Sequence, residues 1–156
     1  MVLAIQFSVS GNAYAVPCQR VIEVMPLLEL RAVPRAPAWL AGVFAYHGAL
    51  VSVVDACQLI GGYECSKRLS SRVAIVHCVL PELGDVVVGV LAERMTAVRR
   101  LEGTPLIASA PGSLPYLDQV VQEGAELVHL IDVEGLVRAT RLPEGDPSPR
   151  LGEALA

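Results

Sequence analysis

The sequence has little basic surface to offer a partner. It carries 12 Lys and Arg residues against 16 Asp and Glu, for a net charge of −4 and an isoelectric point near 5.3. Nucleic-acid binding needs a basic face for the phosphates, and an anionic membrane surface attracts basic segments in the same way. We therefore expect neither nucleic acid nor an anionic membrane surface among the partners.

The sequence also has no apolar run long enough to cross a membrane. A spanning helix needs about 18 or more uncharged apolar residues. Every apolar run in this sequence ends at a charged or turn-forming residue before it reaches that length. Residues 1–15 have no basic stretch, and Ile5, Phe7 and Val9 alternate with polar residues. Such alternation indicates a half-buried strand and not a signal peptide. The prediction is a cytoplasmic protein without direct membrane insertion.

Cysteines are few and scattered. The four are Cys18, Cys57, Cys65 and Cys78, and no two have C-x-x-C spacing. The only nearby histidine, His77, is directly adjacent to Cys78 instead of at zinc-site spacing. We therefore expect them to act as small buried apolar groups in a reducing compartment, with no metal site and no cofactor.

Aliphatic and turn-forming residues are abundant. Hydrophobic residues make up 53% of the chain but aromatic residues only 4%, and there are 13 glycines and 11 prolines. A core rich in β-branched residues with many turn signals is typical of an all-β protein. The patterns predict strands at residues 5–9, 14–16, 21–24, 43–46, 50–54, 72–80, 86–92, 95–101, 116–122 and 127–131. Loops are predicted at 27–37 and 102–115, a helical turn with Trp39 at 38–41, and a loose tail at 143–156.

One segment occurs twice in similar form. The sequence LVSVVDACQLI at residues 50–60 parallels LVHLIDVEGLV at residues 127–137. Each copy has a strand pattern, an aspartate and a short helical pattern, so Asp55 and Asp132 are predicted to be helix N-caps. A repeat of this kind predicts two similar subdomains, and two small β-barrels sharing one core would satisfy the strand pattern.

The sequence shows no catalytic arrangement. Ser52, His47 and Asp55 contain the residue types of a catalytic triad, but the serine is not in a G-x-S-x-G motif. A glycosidase-like carboxylate pair of Asp55 and Asp132 is the other catalytic interpretation, yet helix capping explains both positions better. We therefore predict that the protein is not an enzyme and has no catalytic residues.

Several motifs, taken in order, resemble the CheW domain of bacterial chemotaxis. The resemblance covers residues 3–137, most of the chain. The motifs are F-x-V-x-G-x-x-Y-A-V-P at 7–17, V-x-E-V at 21–24, P-x-x-P-x-W-L-x-G-V at 34–43, G-x-L-V-x-V-V-D-x-x-x-L-I-G from Gly48 to residue 61, V-V-V-G-V at 86–90, and L-x-L-I-D ending on Asp132.

The resemblance implies a fold and a function. The fold would be two SH3-like five-stranded β-barrels sharing a hydrophobic core, with short helices, in a domain at residues 1–140 followed by a flexible tail at 141–156. The function would be that of a signalling adaptor at membrane receptor arrays. It would couple the cytoplasmic tip of methyl-accepting receptors to the regulatory domain of a CheA-type histidine kinase.

The resemblance also implies contact residues for the two partners. The receptor groove would be formed by Val21, Glu23 and Val24 on one barrel and Gly89 and Val98 on the other. The surface facing the kinase would include Arg31, Pro34 and His47.

Two turns depart from the family pattern. The usual N-L-R-G turn reads Ala45-Tyr46-His47-Gly48, so a fixed cation is replaced by a histidine that is mostly neutral at pH 7 when unperturbed. The usual D-G turn reads Glu93-Arg94. These departures favour a divergent pathway, such as one for surface sensing. They also leave open a competing module that binds only one partner. A small ligand-binding or hydrolase barrel is the third alternative, and it would require a pocket with converging polar groups.

Overall fold

The computed structural model describes residues 1–107, 114–117 and 119–141, and in this part of the chain the architecture is all-β with two short helices. The strands are β1 (Val2–Val9), β2 (Asn12–Pro17), β3 (Val21–Pro26), β4 (Leu40–Tyr46), β5 (Ala49–Asp55), β6 (Arg72–Leu80), β7 (Gly84–Leu101), β8 (Thr104–Ile107), β9 (Gln119–Glu123) and β10 (Glu126–Leu130). The helices are α1 (Ala56–Gly61) and α2 (Val133–Ala139), and a 3-10 turn covers Cys18–Arg20. Neither helix has the length and hydropathy that a membrane span requires.

The first barrel is built from five strands in the order β3-β6-β7-β5-β4. Its pairs are antiparallel except β5 with β7, which are parallel. The chain after β3 closes the barrel, because the backbones of Arg31 and Val43 exchange two hydrogen bonds of 2.9 Å. Gly42 allows this close approach, since a Cβ there would lie 2.8 Å from the Arg31 carbonyl oxygen.

The second barrel continues from the second half of β7 in the order β7-β1-β2-β10-β9-β8. Its interior is filled by small aliphatic side chains, namely Ala4, Ala13, Ala15, Leu101, Val121, Val128 and Leu130. The Glu123 carboxylate fixes the link between β7 and β8, because its Oε1 accepts hydrogen bonds of 2.6 Å from the backbone N–H groups of Glu102 and Gly103. Gly103 is required there, since a Cβ would lie only 1.8 Å from the Gln122 carbonyl oxygen.

Strand β7 joins the two barrels. The sequence patterns predicted two strands, at residues 86–92 and 95–101, but the structure has one strand of 18 residues. The chain bends at Glu93-Arg94 instead of reversing. Arg94 has a φ of 53°, and the pairing with β1 shifts register between Gln6 and Ser8. A bulge of this kind bends a strand without ending it, which explains why the charged pair resembled a turn.

The larger core lies between the barrels and belongs to both. It contains side chains from the two sheets and the two helices, including Phe7, Tyr14, Val16, Val53, Ile75, Val90 and Leu136. The predicted pair of barrels with a shared core is therefore confirmed. The second barrel differs from the five-strand expectation only because it includes half of β7 besides its own five strands.

The internal repeat is visible in the fold. The order β4-β5-α1 recurs as β9-β10-α2, and the residues before the two helices have nearly identical backbones, with φ and ψ of −85° and 106° at Asp55 and −82° and 105° at Asp132. Asp55 caps α1, because its Oδ1 accepts a hydrogen bond of 3.1 Å from Gln58 N. Asp132 occupies the same position but makes no capping side-chain hydrogen bond. A second carboxylate, Glu134, lies in the first turn of α2, and burial raises the pKa of Asp132.

Three local predictions were wrong, and one lies outside the described residues. The helical turn predicted at 38–41 was wrong in its second half: Trp39 lies in a turn closed by Leu40 N and Pro37 O at 3.0 Å, but β4 already begins at Leu40. Strand β8 lies inside the predicted loop at 102–115, where Pro105 is tolerated because β8 pairs with β9 alone in the described chain. The predicted strand at 116–122 begins only at Gln119. The predicted tail at 141–156 falls outside the described residues except for Arg141.

Candidate functional site

The strand β3 presents an exposed edge on the first barrel. It pairs with β6 alone among the described strands. The register shifts between Val21 and Glu23, and this bulge leaves both Ile22 (50% exposed) and Glu23 on the surface. Val21 and Val24 are half-buried and pack against the shared core. The strand therefore offers a surface of apolar side chains with one carboxylate.

Tyr46 fixes the position of Glu23. Its hydroxyl donates a hydrogen bond to Glu23 Oε2, and this bond to the carboxylate is the main reason why the pKa of Tyr46 is raised. The Tyr46 ring also lies edge-on to the His47 ring, with 4.4 Å between the ring centroids. Glu23 and His47, which were predicted to face different partners, are thus linked through one side chain. No sequence pattern indicates this link, because Glu23 and Tyr46 are 23 residues apart in the chain.

Val98 provides an exposed apolar position on the second barrel. It lies opposite Ile5 in the pairing of β7 with β1, so the two side chains share a face of the sheet. Ile5 belongs to the shared core, whereas Val98 is 62% exposed. The apolar interior between the barrels therefore continues to the surface at Val98.

Gly89 does not lie where the resemblance implied. It pairs with Val53 and Ile75 in the sheet of the first barrel, the sheet that also contains Glu23, and it is buried. A Cβ at this position would lie 2.9 Å from Val73 Cγ1 and 3.1 Å from Val53 Cγ2. The placement on the second barrel was wrong, and close packing inside the first barrel is a sufficient reason for the glycine.

The predicted kinase-facing residues lie along β4, with Arg31 beside its middle and His47 just beyond its C-terminal end. Arg31 bonds to Val43, and its side chain is exposed. Pro34 follows in a turn closed by Ala36 N and Val33 O at 3.3 Å. His47 is in the turn after β4, four residues beyond Val43, which corresponds to roughly 13 Å along a strand.

The two turns that carry these residues are conformationally defined. Arg35 has a φ of 59°, and a proline followed by a residue with positive φ is typical of a type II turn. His47 and Gly48 have φ values of 47° and 78°, as in the type I′ turns that join hairpin strands. Gly48 thus supplies one of the two positive φ values that this turn requires.

These surfaces can be compared with known proteins. A family model described as the CheW-like domain matches residues 4–141, from β1 to the end of α2. The chain belongs to the CheW-like domain family. Members of this family are chemotaxis adaptors that act as scaffolds, and the family is not one of enzymes.

Two known proteins are similar to this chain. Protein FrzA from Myxococcus xanthus is 26% identical over 140 residues, which cover 86% of this chain and 84% of FrzA. The crystal structure of the scaffolding protein TtCheW from Thermoanaerobacter tengcongensis superposes with a TM-score of 0.72 at 18% identity, covering 85% of this chain and 84% of that chain. The latter likeness shows the fold, two SH3-like barrels.

The CheW-like fold keeps the possible triad residues apart. His47 lies in the turn before β5 and Asp55 is the last residue of β5, so about 20 Å of strand separates them. Asp55 is 2% exposed and caps α1. Ser52, His47 and Asp55 therefore do not form a catalytic group.

A cleft in the CheW-like fold brings together polar groups that the sequence did not connect. It has a volume of about 510 Å³ and is lined by apolar residues of the loop after β3 together with Asp55, Gln58, Glu64, Cys65 and Lys67. At its inner end Cys57 Sγ lies 3.1 Å from Cys65 Sγ, and Asp55 Oδ2 accepts a hydrogen bond of 3.0 Å from Cys65 N. These three side chains offer the ligand atoms of a metal site, all within 4.8 Å of one another.

Proposed function

We propose that this chain is a non-enzymatic adaptor that couples methyl-accepting chemotaxis-type receptors to a CheA-type histidine kinase. The observation that carries the proposal is the CheW-like match over residues 4–141. The protein would be cytoplasmic, and binding to receptor tips would recruit it to receptor arrays at the membrane. The altered turn at His47 favours a divergent chemosensory pathway, such as one for surface sensing.

The proposed receptor groove lies between β3 and the second half of β7. Val21, Val24 and Val98 supply apolar contacts, as expected for a groove that binds an amphipathic helix. Glu23 supplies one charge that sets the register of that helix. Because Tyr46 already restrains Glu23, less side-chain entropy is lost when the partner binds. Gly89 is not part of the proposed groove, since it allows Val53 and Val73 to pack closely inside the first barrel.

The proposed kinase-facing surface follows β4. Arg31 and Pro34 are exposed on a loop whose backbone is hydrogen-bonded to the barrel. His47 lies just beyond the C-terminal end of β4. A loop that is already restrained loses little entropy on docking. This surface suits contact with the regulatory domain of the kinase.

The receptor surface is tested by the affinity for a receptor cytoplasmic fragment. Glu23→Lys reverses the charge and removes the acceptor for Tyr46, and Val98→Met changes the shape of the groove. Since residues at the centre of an interface commonly contribute 2 kcal/mol or more, we expect each variant to bind about tenfold or more weakly.

Matched controls exist on the same chain. Glu102→Lys makes the same charge reversal at an exposed position between β7 and β8. Val79→Met changes a valine that is 61% exposed, compared with 62% for Val98. Both controls should bind normally. If all four folded variants bind as the parent protein does, the groove is not the receptor site.

A competing module that binds only one partner is the second candidate. It is favoured by His47, which stands where the family has an arginine that would offer a permanent cation. In this case the protein would bind either the receptor fragment or the kinase regulatory domain and would exclude a standard adaptor from it. His47→Arg should then restore binding to the second partner. Simultaneous binding of both partners by the unmodified protein would exclude this candidate.

A further inference from the structure

Two thiols and a carboxylate converge inside the first barrel. Asp55 is the N-cap of α1, Cys57 lies in its first turn, and the chain returns after Gly62 to bring Cys65 back to the same point. Asp55, Cys57 and Cys65 are 2%, 0% and 4% exposed. Helix capping alone requires only the aspartate, so it does not explain the two thiols in contact with each other.

The surroundings of this cluster favour a cation. The ion pairs of the described residues, Arg20–Glu134, Arg99–Glu126 and Arg138–Glu82, do not involve Asp55. Two further carboxylates lie beside the cluster. Glu64 lines the adjoining cleft, and Glu93 Oε1 accepts hydrogen bonds of 2.7 and 3.0 Å from the backbone N–H and hydroxyl of Ser66, the residue after Cys65. Among the described residues, the adjoining cleft is lined by one basic residue, Lys67, and by the acidic residues Glu29 and Glu64 besides Asp55.

The cluster has a route to solvent. Asp55 and Cys65 form part of the wall of the 510 Å³ cleft, and the side chains of Gln58 and Glu64 line the same space. An ion entering from the cleft would therefore reach one sulfur and one carboxylate oxygen first, with Cys57 directly behind. The cleft also leaves space for a fourth ligand.

We propose that Asp55, Cys57 and Cys65 form a metal site for Zn²⁺, with the fourth coordination position open to the cleft. Two thiolates and one carboxylate suit a borderline-soft ion, and zinc takes four ligands in tetrahedral geometry. With Zn–S bonds of about 2.3 Å, two sulfurs on one zinc lie roughly 3.8 Å apart. The sulfurs here are 3.1 Å apart, so the two sulfur atoms would separate by about 0.7 Å when both bind the ion. Both thiols lose their protons to solvent when the ion binds.

The internal repeat provides a comparison within the same molecule. Asp132 has the backbone conformation of Asp55, but the residue two positions later is Glu134 where the first copy has Cys57. Glu134 forms an ion pair of 2.6 Å with Arg20. The second copy thus has the N-cap position without the thiol pair, and we do not expect it to bind zinc.

The test measures metal binding by the full chain, independently of any receptor or kinase. The protein is reduced, freed of metal with a chelator and titrated with Zn²⁺. Native mass spectrometry then measures the mass of the complex and so the number of bound ions per chain. Co²⁺ serves as a second probe, because thiolate ligation produces a charge-transfer absorption band. We expect one bound ion per chain and a clear thiolate-to-cobalt band.

Variants distinguish this site from adventitious binding. Cys57→Ser, Cys65→Ser and Asp55→Asn should each weaken Zn²⁺ binding at least tenfold, and asparagine retains the ability to cap α1. Cys78→Ser and Asp132→Asn change a buried thiol and the equivalent N-cap outside the cluster, and they should bind as the parent does. Circular dichroism confirms that each variant is folded.

Three results would overturn the proposal. The first is a reduced, folded parent protein that binds neither ion. The second is Zn²⁺ affinity that is the same in the parent and in the folded Asp55→Asn variant. The third is a disulfide between Cys57 and Cys65 in protein purified without reductant, shown by a mass loss of two hydrogens together with absent metal. Because the parent protein is tested directly, a misfolded cysteine variant does not prevent a decision.

Discussion

Replacing Gly89 with alanine should reduce stability and leave receptor binding intact. The added Cβ would lie 2.9 Å from Val73 Cγ1 and 3.1 Å from Val53 Cγ2, and both valines are at most 1% exposed. Overfilling a packed core typically costs about 1–3 kcal/mol, and alanine recovers roughly 0.4–1 kcal/mol by restricting the unfolded chain. The net loss should be about 1–2 kcal/mol.

The assay is urea denaturation with a thermal melt as a second measure. For a chain of this size the loss corresponds to a fall in Tm of roughly 2–8 °C. The double variant Gly89→Ala/Val73→Ala makes room for the new methyl group. Its loss of unfolding free energy should therefore be smaller than the sum of the losses in the two single variants, which is a sign of direct contact. Unchanged stability with lost receptor binding in Gly89→Ala would refute this reasoning and show that a partner touches Gly89.

Further predictions concern the barrel link and the Tyr46 contact. Glu123→Ala removes two bonds to a carboxylate and should lower the free energy of unfolding by about 2 kcal/mol; denaturation at the parental urea midpoint would contradict the link. His47→Asn keeps a residue type that tolerates the positive φ of this turn and should change the unfolding free energy by no more than about 0.5 kcal/mol, so a larger loss would count against the turn geometry. Glu23→Gln should lower the pKa of Tyr46 towards its ordinary value, seen as earlier tyrosinate absorbance in a variant-minus-parent pH titration, and identical titrations would exclude the contact. Tyr46→Phe should bind the receptor fragment more weakly than the parent but more tightly than Glu23→Lys, and equal binding by all three would contradict the positioning role.

The fold could be predicted where local patterns and local structure agree. Alternation identified β1, and the repeated strand–aspartate–helix pattern identified both Asp55 and Asp132 as N-cap positions. The predictions were wrong where one local sequence signal is compatible with two different backbone structures. Glu93-Arg94 is compatible with a reversal or with a bulge, and only the pairing of β7 with both sheets selects the bulge. Pro105 argues against a central strand, but it does not exclude an edge strand.

The candidate sites could be predicted only in part for a similar reason. The family resemblance indicated Glu23, but its contact with Tyr46 joins two residues that are 23 positions apart in the chain. The exposure of Val98 depends on the arrangement of the barrels. Cys57 and Cys65 lack any metal-binding spacing in the sequence, and they meet because Gly62, the C-cap of α1, has a φ of 74° and the chain turns back there. Contacts of this type depend on tertiary packing and not on local pattern.

The most direct test of the adaptor role is assembly of a three-component complex. A receptor cytoplasmic fragment and a CheA-type kinase regulatory domain are mixed with and without this protein, and the species formed are measured by sedimentation velocity. We predict one complex that contains all three components, absent without the protein and reduced by Glu23→Lys but not by Glu102→Lys. Separate two-component complexes that never combine would contradict coupling, and no binding to either partner by the folded protein would contradict the adaptor function itself.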